Sequence, residues 1–418
     1  MGSGQSTQIE IGGRRLTLET GRVAKQADGS VIVRYGDTVV LATVVASRVA
    51  VEGQDFFPLS VDYRERAYAG GRIPGGFFKR EGRPVEKEIL TSRLIDRPLR
   101  PLFPRGFRNE IQLIALALSA DAENDPDILA MNGASAAVAV AGLPFLGPFG
   151  AVRIGLVDGR LVVNPTSREL GRSDLDLVVA ATEESVVMVE AGAAEISDDT
   201  LVEAIALAHA ECRGLVQIQR KLADAAGKPR WSFDPRAHQD PELEAVVRAA
   251  AEGRIRDAIT IADKVQRGQA LAKVAQEVLA TVDPEGLRRG KVKEYLDKVE
   301  KAEVRRMILD RGVRIDGRKS WETRPITGEV SFLPRTHGSA LFSRGETQAL
   351  VAVTLGTKSD EQKVETFEGE TWKPFMLHYN FPSFSVGEVR RFGSPGRREI
   401  GHGALAERSV QLVLPPKE

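Results

Sequence analysis

The feature that most constrains this chain is a pattern that occurs twice. Gly338-Ser339 and Gly345-Glu346-Thr347 repeat Gly29-Ser30 and Gly36-Asp37-Thr38, each 309 residues further on, and Leu350 and Val353 fall on Leu41 and Val44 at the same offset. A second pair of patches agrees. Glu88-Ile89 followed by Leu94, Asp96 and Arg97 matches Glu399-Ile400 followed by Leu405, Glu407 and Arg408, now 311 residues apart. Short hairpins resemble one another, so either patch alone is weak; two of them, in order and at nearly equal spacing, favour duplication of a folding unit.

In the first copy Val31 and Val33 precede Gly36-Asp37, and Val39, Leu41 and Val44 follow it. β-Branched residues on both sides of a turn dipeptide predict a hairpin. Between the copies the period changes. Leu243/Val246/Val247/Ala250, Leu271/Val274/Ala275/Val278 and Val292/Tyr295/Leu296/Val299 follow the i, i+3, i+4, i+7 spacing of amphipathic helices. Asp240-Pro241 supplies a cap and a first-turn proline, and Asp283-Pro284 separates the second helix from the third. The expected plan is an α/β unit over 1–235, an all-helical unit over 236–311 and a second α/β unit over 312–418. The fold class is α/β (α+β): a duplicated unit of mixed sheets packed with helices, and an all-α insert between the copies. The second copy has barely half the length of the first. It is expected to be unfinished, belonging to a fragment or leaving an apolar face uncovered and a sheet edge unpaired.

Lys+Arg and Asp+Glu both total 58, so overall charge argues for no polyanionic partner and any nucleic-acid site must be local. Cys212 is the only cysteine, which excludes an intramolecular disulfide and a cysteine-based zinc site and suits a reducing compartment. No run reaches the roughly 18 apolar residues of a membrane helix and no export signal opens the chain, so a cytoplasmic protein without a membrane partner is expected.

The densest chemistry lies in Ser394-Pro395-Gly396-Arg397-Arg398-Glu399-Ile400-Gly401-His402-Gly403. Ser394-Pro395 reads as the cap and first residue of a helix whose free N–H groups and dipole favour an anion. Arg397 falls in its first turn, Arg398 and His402 share a face, and Gly401 and Gly403 remove side chains that would block a ligand. Guanidinium forks and an imidazole around a helix start suit phosphate, although a surface helix with solvated arginines and an incidental histidine uses the same residues. The duplication shifts that balance. At the aligned positions the first copy has Glu86, Lys87 and Thr91, and a framework residue would tend to survive in both copies.

Gly75-Gly76-Phe77-Phe78-Lys79-Arg80-Glu81-Gly82-Arg83-Pro84 reads as an exposed basic loop rather than a strand. Aromatic faces stack on bases while cations meet phosphates, a sequence-tolerant grip on single-stranded nucleic acid. Arg93 and Arg97 follow on one helical face, with Arg100 after them. The alternative is that Phe77 and Phe78 anchor the loop in a core and the arginines pair with Glu86 and Asp96. There is no nucleoside-triphosphate P-loop and no Rossmann glycine triplet. His209, His238, His337 and His378 have no carboxylate or cysteine at metal-ligand spacing.

Arg314-Ile315-Asp316-Gly317-Arg318, with Arg324-Pro325-Ile326 after it, resembles the entry motif of ribonuclease PH-type domains. Phe77 to Pro84 and Ser394 to Gly403 are similar to the two segments most particular to bacterial polynucleotide phosphorylases, and Gln54-Asp55-Phe56-Phe57-Pro58-Leu59, Arg93-Leu94-Ile95-Asp96-Arg97-Pro98 and Gly227-Lys228-Pro229-Arg230-Trp231 also fit. The resemblance runs along essentially the whole chain.

It implies two ribonuclease PH-like folds joined by a helical domain and assembled as a ring-shaped homotrimer, with single-stranded RNA entering a central channel. The implied reaction is reversible 3′-to-5′ phosphorolysis of RNA, with inorganic phosphate as co-substrate, nucleoside diphosphates as products and Mg²⁺ or Mn²⁺ assisting. A degradosome endonuclease is a further implied partner. By the family pattern Phe77, Phe78, Lys79, Arg80 and Arg83 form a channel-neck loop, with Arg93, Arg97 and Arg100 also meeting RNA; Arg397, Arg398 and His402 sit at the phosphate site, Arg398 and His402 as catalytic residues. Lys79 stands where arginine is common, keeping charge without the bidentate fork. The family's serine-containing phosphate loop and its Asp-x5-Asp-x-Lys cluster would lie beyond Glu418, so no metal ligand is expected within the chain. Asp174-Leu175-Asp176-Leu177-Val178 resembles the first-copy counterpart of that cluster, with Leu170 and Val178 in place of its first Asp and its Lys. The first copy is therefore expected to be non-catalytic, and a catalytically incomplete RNA-binding scaffold is the alternative reading of the chain.

Overall fold

The computed structural model describes residues 4–50, 56–234, 239–366 and 369–415; Gln54-Asp55, His238 and the expected 235/236 boundary lie outside the described residues. Two compact units result: Met1–Pro235 together with Asp360–Glu418, and Arg236–Ser359.

In the first unit β1 (Gln5–Ile11), β2 (Arg14–Thr20), β3 (Gly29–Tyr35) and β4 (Thr38–Ala50) form an antiparallel meander. β5 (Leu59–Glu65) leads through a long loop to helix α1 (Glu86–Leu99), and β6 (Asn109–Ser119) returns between β4 and β5, giving the order β1-β2-β3-β4-β6-β5. Helix α2 (Pro126–Val140) precedes β7 (Gly150–Val157) and β8 (Arg160–Val163); the short α3 (Ser167–Leu170), β9 (Leu175–Ala181), β10 (Val186–Ala193) and the long α4 (Asp198–Ala226) follow. Strands β10-β9-β7-β8 make a second, antiparallel sheet. Both α2 and α4 pack against strands of both sheets. That position explains α2, which has no polar face: a helix covered on all sides is apolar all round. Its small residues let the sheet approach, since a Cβ on Gly133 would meet Val33 Cγ2 at 2.8 Å. Cys212 of α4 is buried here, and burial pushes its thiol up to about 12.

Asn132 of α2, fully buried, links that helix to the second sheet. Its Nδ2 donates to the Ala151 carbonyl at 2.8 Å and to the Ile128 carbonyl at 2.9 Å, and its Oδ1 accepts from the Ala151 N–H at 3.0 Å.

The second unit holds α5 (Pro241–Ala258), α6 (Lys264–Val282) and α7 (Arg289–Arg311), then the antiparallel strands β11 (Ile326–Val330), β12 (Gly338–Arg344) and β13 (Thr347–Val353). Asp240 caps α5 by accepting from the Leu243 N–H at 2.9 Å, and Pro241 is the first helical residue. The helical core is Leu243, Val247, Ala251 and Ile255 against Val274, Val278, Val292, Tyr295, Leu296 and Val299. The sequence pattern placed Val246 on this face, but it is 52% exposed: the buried stripe of α5 advances every fourth residue from Leu243 to Ile255.

The duplication is visible in strand register. Gly29 faces Val44 and Tyr35 faces Thr38 in the first hairpin; Gly338 faces Val353 and Arg344 faces Thr347 in the second, each 309 residues later. The second hairpin is bare where the first is covered: Val31, Val33 and Val40 are fully buried, whereas Phe342, Leu350, Val351 and Val353 are half exposed. The remaining elements, β14 (Gln362–Glu365), β15 (Glu370–Lys373) and α8 (Arg397–Gln411), belong to the first unit, where α8 packs on α1.

Asn132→Ala strips the only side-chain partners from a buried N–H and a buried carbonyl at about 1–3 kcal/mol each. Urea unfolding of the first unit should register a loss of about 3 kcal/mol, and a change below about 1 kcal/mol would refute this role.

Candidate functional site

Helix α8 begins two residues later than the Ser-Pro signal indicates. Gly396 is the cap, Arg397 the first helical residue, and Pro395 lies outside. A carboxylate decides this: Glu399 Oε2 accepts from the Gly396 N–H at 2.6 Å, and its Oε1 accepts from the Phe381 N–H at 2.8 Å. Those two backbone bonds, Gly396 first, hold the Glu399 carboxyl below the usual carboxylate range. The helix start is thereby tied to the segment that carries Phe381.

Arg398 and His402 are both exposed and lie on one face, one helical turn apart. Arg398 has no ion pair among the described residues. The His402 ring rests against Tyr379, with centroids 4.2 Å apart at 47°. Arg397 points elsewhere: it donates to the Val61 carbonyl at 2.6 Å and forms an ion pair with Asp62. Its fork is occupied, so the structure groups Arg398 and His402 without it.

The glycines have another use than the one expected of them. Gly401 and Gly403 are buried, and neither opens a path for a ligand. A Cβ on Gly401 would collide with Arg93 Nε, with Cδ and Cζ at 3.0 Å; one on Gly403 would meet Tyr379 Cβ at 3.3 Å. Gly401 lets Arg93 of α1 lie across α8. Burial lowers the Arg93 guanidinium, and repulsion from Arg97 and Arg398 adds to this, the signature of clustered like charge. Arg97 is ion-paired to Glu190, and Arg100 is spent within the fold. Arg100 bonds Asp96 at 2.6 Å and the carbonyls of Phe57 and Leu59 at 2.9 and 3.0 Å. Among the described residues, Arg93 and Arg398 are therefore the cations of this cluster without an ion pair.

The segment ahead of α1 is the exposed loop the sequence indicates, not a core anchor. Phe77 and Phe78 are 93% and 87% exposed, edge to face at 5.5 Å. Lys79 adopts a left-handed backbone with φ 49°. Lys79, Arg80 and Arg83 are exposed, and the loop is pinned at its base by Glu81, which accepts from the Ala67 N–H at 3.0 Å.

The first copy shows what became of the same place. Lys87, aligned with Arg398, is held by Glu65 at 3.0 Å and Asp125 at 3.4 Å. Burial would lower its ammonium, but Asp125 and Glu65 outweigh that and keep it charged. Arg153 is likewise buried and ion-paired to Asp127 and Asp176. Burial pushes the Asp127 carboxyl up to about 7 against the pull of Arg153. A cavity of about 680 Å³ opens here, lined by Lys87, Thr91, Asp125, Asp127, Arg153, Asp176 and the apolar Val178, with cations matched by carboxylates throughout. Among the described residues that line it, an inorganic anion finds no unpaired cation.

The sequence reading missed Tyr379 and Glu399. Glu399 was hidden by placing the cap too early. Tyr379 had a signal in a third repeated position, since it stands to Tyr63 as Gly387 does to Gly71, 316 residues on. His209 contacts the Thr182 carbonyl at 3.2 Å and His337 accepts from the Leu355 N–H at 2.8 Å, both framework roles. Among the described residues no group of three or more His, Cys, Asp or Glu is arranged to hold a metal ion, so these residues do not fit a resident metal. Nor is any helix among them long and apolar enough to cross a membrane.

The model of the 3′ exoribonuclease family, domain 1, matches residues 12–144 and again 322–418. Together these cover more than half of the chain, which belongs to that family and has its duplicated ribonuclease PH-like fold. Domain 2 of the same family matches 147–211, and the RNA binding domain of polyribonucleotide nucleotidyltransferase matches 242–319. The chain is 54% identical over 411 residues to the polyribonucleotide nucleotidyltransferase of Acidiphilium cryptum, covering 98% of this chain and 57% of that protein. It is 52% identical over 410 residues to that of Geotalea uraniireducens, covering 98% and 59%. The chain thus spans just over half the length of the curated relatives it matches. Rice Rrp46 overlaps 52% of the chain at 14% identity and a TM-score of 0.41, too loose a likeness to define anything further.

Gly401→Ala should leave stability within about 1 kcal/mol, because the helix-propensity gain of about 1 kcal/mol offsets the displacement of a flexible side chain. It should nevertheless weaken anion and RNA binding by moving Arg93. Unfolding and binding titrations on one preparation check this, and unchanged binding would remove Arg93 from the site.

Proposed function

We propose that this chain grips RNA and inorganic phosphate for a 3′-to-5′ exoribonuclease that works by reversible phosphorolysis. The observation that carries the proposal is the contrast between the copies: Arg398 is exposed and has no ion pair among the described residues, beside His402 at a helix start, whereas Lys87 at the matched position is locked between Glu65 and Asp125. The names of the relatives and the RNA binding domain matched at 242–319 support the same reading.

In phosphorolysis an oxygen of inorganic phosphate attacks the terminal phosphodiester phosphorus. The bond to the penultimate 3′ oxygen breaks, the RNA keeps a 3′-hydroxyl, and a nucleoside diphosphate leaves. Little covalent help from protein is required; positioning and charge stabilisation of crowded phosphate oxygens do most of the catalysis. Arg398 offers a planar fork to the attacking phosphate, His402 a second donor one turn on, and Arg93 raises the local positive potential. A divalent ion such as Mg²⁺ or Mn²⁺ would lower the repulsion between these oxygens, and among the described residues no group of three or more His, Cys, Asp or Glu is arranged to hold it. Phe77 and Phe78 offer ring faces to successive bases, while Lys79, Arg80 and Arg83 meet the backbone.

The absence of a metal-holding cluster among the described residues favours a second reading, an RNA-binding scaffold that binds without cleaving. Incubation of the chain with a 3′-labelled oligoribonucleotide, phosphate and Mg²⁺ separates the two. Release of nucleoside diphosphate excludes the scaffold; binding without release excludes catalysis by this chain. A homotrimeric ring, a degradosome endonuclease as partner and a cytoplasmic location belong to the same proposal, and sedimentation, co-purification and fractionation test them.

RNA affinity should fall steeply with salt. Arg80→Ala and Arg83→Ala should each lessen the slope of log affinity against log salt by about 0.7. Phe78→Ala should weaken binding about tenfold with the slope unchanged. A salt-independent affinity would contradict the loop's assignment.

A further inference from the structure

The two copies share anchor points that go beyond the repeated motifs. In the first, Glu88 holds the Glu65 N–H and the Val85 N–H, both at 2.8 Å. In the second, Glu399 holds the Phe381 N–H at 2.8 Å and the Gly396 N–H at 2.6 Å. Each anchored N–H is followed by a four-residue 3₁₀ turn, Ala67–Gly70 and Ser383–Val386, closed by a left-handed glycine, Gly71 and Gly387, both with φ 67°. Between these matched points run residues 72–84 in one copy and the shorter 388–395 in the other. The first is the loop of Phe77 and Phe78. The second has no role in anything above.

Its composition repeats the chemistry in a different order: Glu388-Val389-Arg390-Arg391-Phe392. Phe392 is 88% exposed, comparable with Phe78. Arg390 is ion-paired to Glu388, but Arg391, also exposed, has no ion pair among the described residues. A bare aromatic face next to an unpaired guanidinium, hung on the framework that presents the first aromatic-basic loop, offers one stacking surface and one phosphate contact.

We propose that residues 388–392 form a second single-stranded RNA contact, in which the Phe392 ring stacks on a base and Arg391 meets the adjoining phosphate. The proposal rests on the RNA-binding reading above and extends it to a segment outside the Phe77–Arg83 loop. Arg390, neutralised by Glu388, contributes little.

The test measures fluorescence anisotropy of a 3′-fluorescein oligoadenylate against the 418-residue chain. Phe392→Ala should weaken binding between about fivefold and a hundredfold, while Phe392→Trp retains it. Arg391→Ala should lessen the salt slope by about 0.7, and Arg390→Ala should leave it nearly unchanged. Thermal unfolding of each variant should match the parent, since the loop buries nothing. If Phe77→Ala weakens binding while Phe392→Ala and Arg391→Ala do not, the second contact is overturned and the RNA reading stands. If the parent chain binds no RNA, both fall. A change of sedimentation on Phe392→Ala, with RNA affinity unaltered, would assign the loop to a contact between copies and likewise overturn the proposal.

Discussion

The organisation of this protein turns on a carboxylate placed three residues beyond the cap of a helix. Glu399 accepts the N–H of Gly396 with one oxygen and that of Phe381 with the other, so a single side chain fixes where α8 begins and which segment it faces. Glu88 does the same for α1. Two backbone donors that would otherwise be orphaned are satisfied together, and the direction of the helix's positive end is set with them. Every functional residue proposed here is either on one of these helices or in the loop that leads to it.

Given that shared frame, the copies differ in how their charges are used. In the first, cations and carboxylates are drawn into mutual pairs. Lys87 lies between Glu65 and Asp125, and Arg153 between Asp127 and Asp176, inside a cavity where removing one partner would leave a buried charge uncompensated. In the second, Arg398 and the overlying Arg93 have no ion pair among the described residues, and burial, with repulsion from Arg97 added to it, depresses the Arg93 guanidinium. Unneutralised positive charge near a helix start is what an oxyanion requires. The same residue types give a closed ion network in one place and, among the described residues, guanidinium groups without an ion pair in the other, depending on which carboxylates are near.

The glycines of α8 show a second route from sequence to function. Gly401 admits no ligand itself; it admits Arg93 from a helix more than three hundred residues earlier in the chain. Gly403 makes room for Tyr379, whose ring supports His402. Both effects act through close approach of neighbouring elements rather than through an opening to solvent.

The duplication, the hairpin at Gly36-Asp37, the three helices after Asp240-Pro241 and the exposed aromatic-basic loop were legible in the chain because each rests on local spacing: a period, a turn dipeptide or a cap. The pairing of Arg398 with His402 was legible for the same reason, since residues four apart share a helical face. Which arginines are free was not. Arg97, Arg100 and Arg397 resemble Arg93 and Arg398 in sequence, yet Glu190, Asp96 and Asp62 claim them. Two of those three partners lie far away along the chain, so only the folded arrangement decides which guanidinium stays unpaired. The sequence by itself determined the elements, their repetition and the types of charge available; the tertiary structure decided which charges cancel, because Coulombic pairing depends on distance in space and the sequence records only distance along the chain.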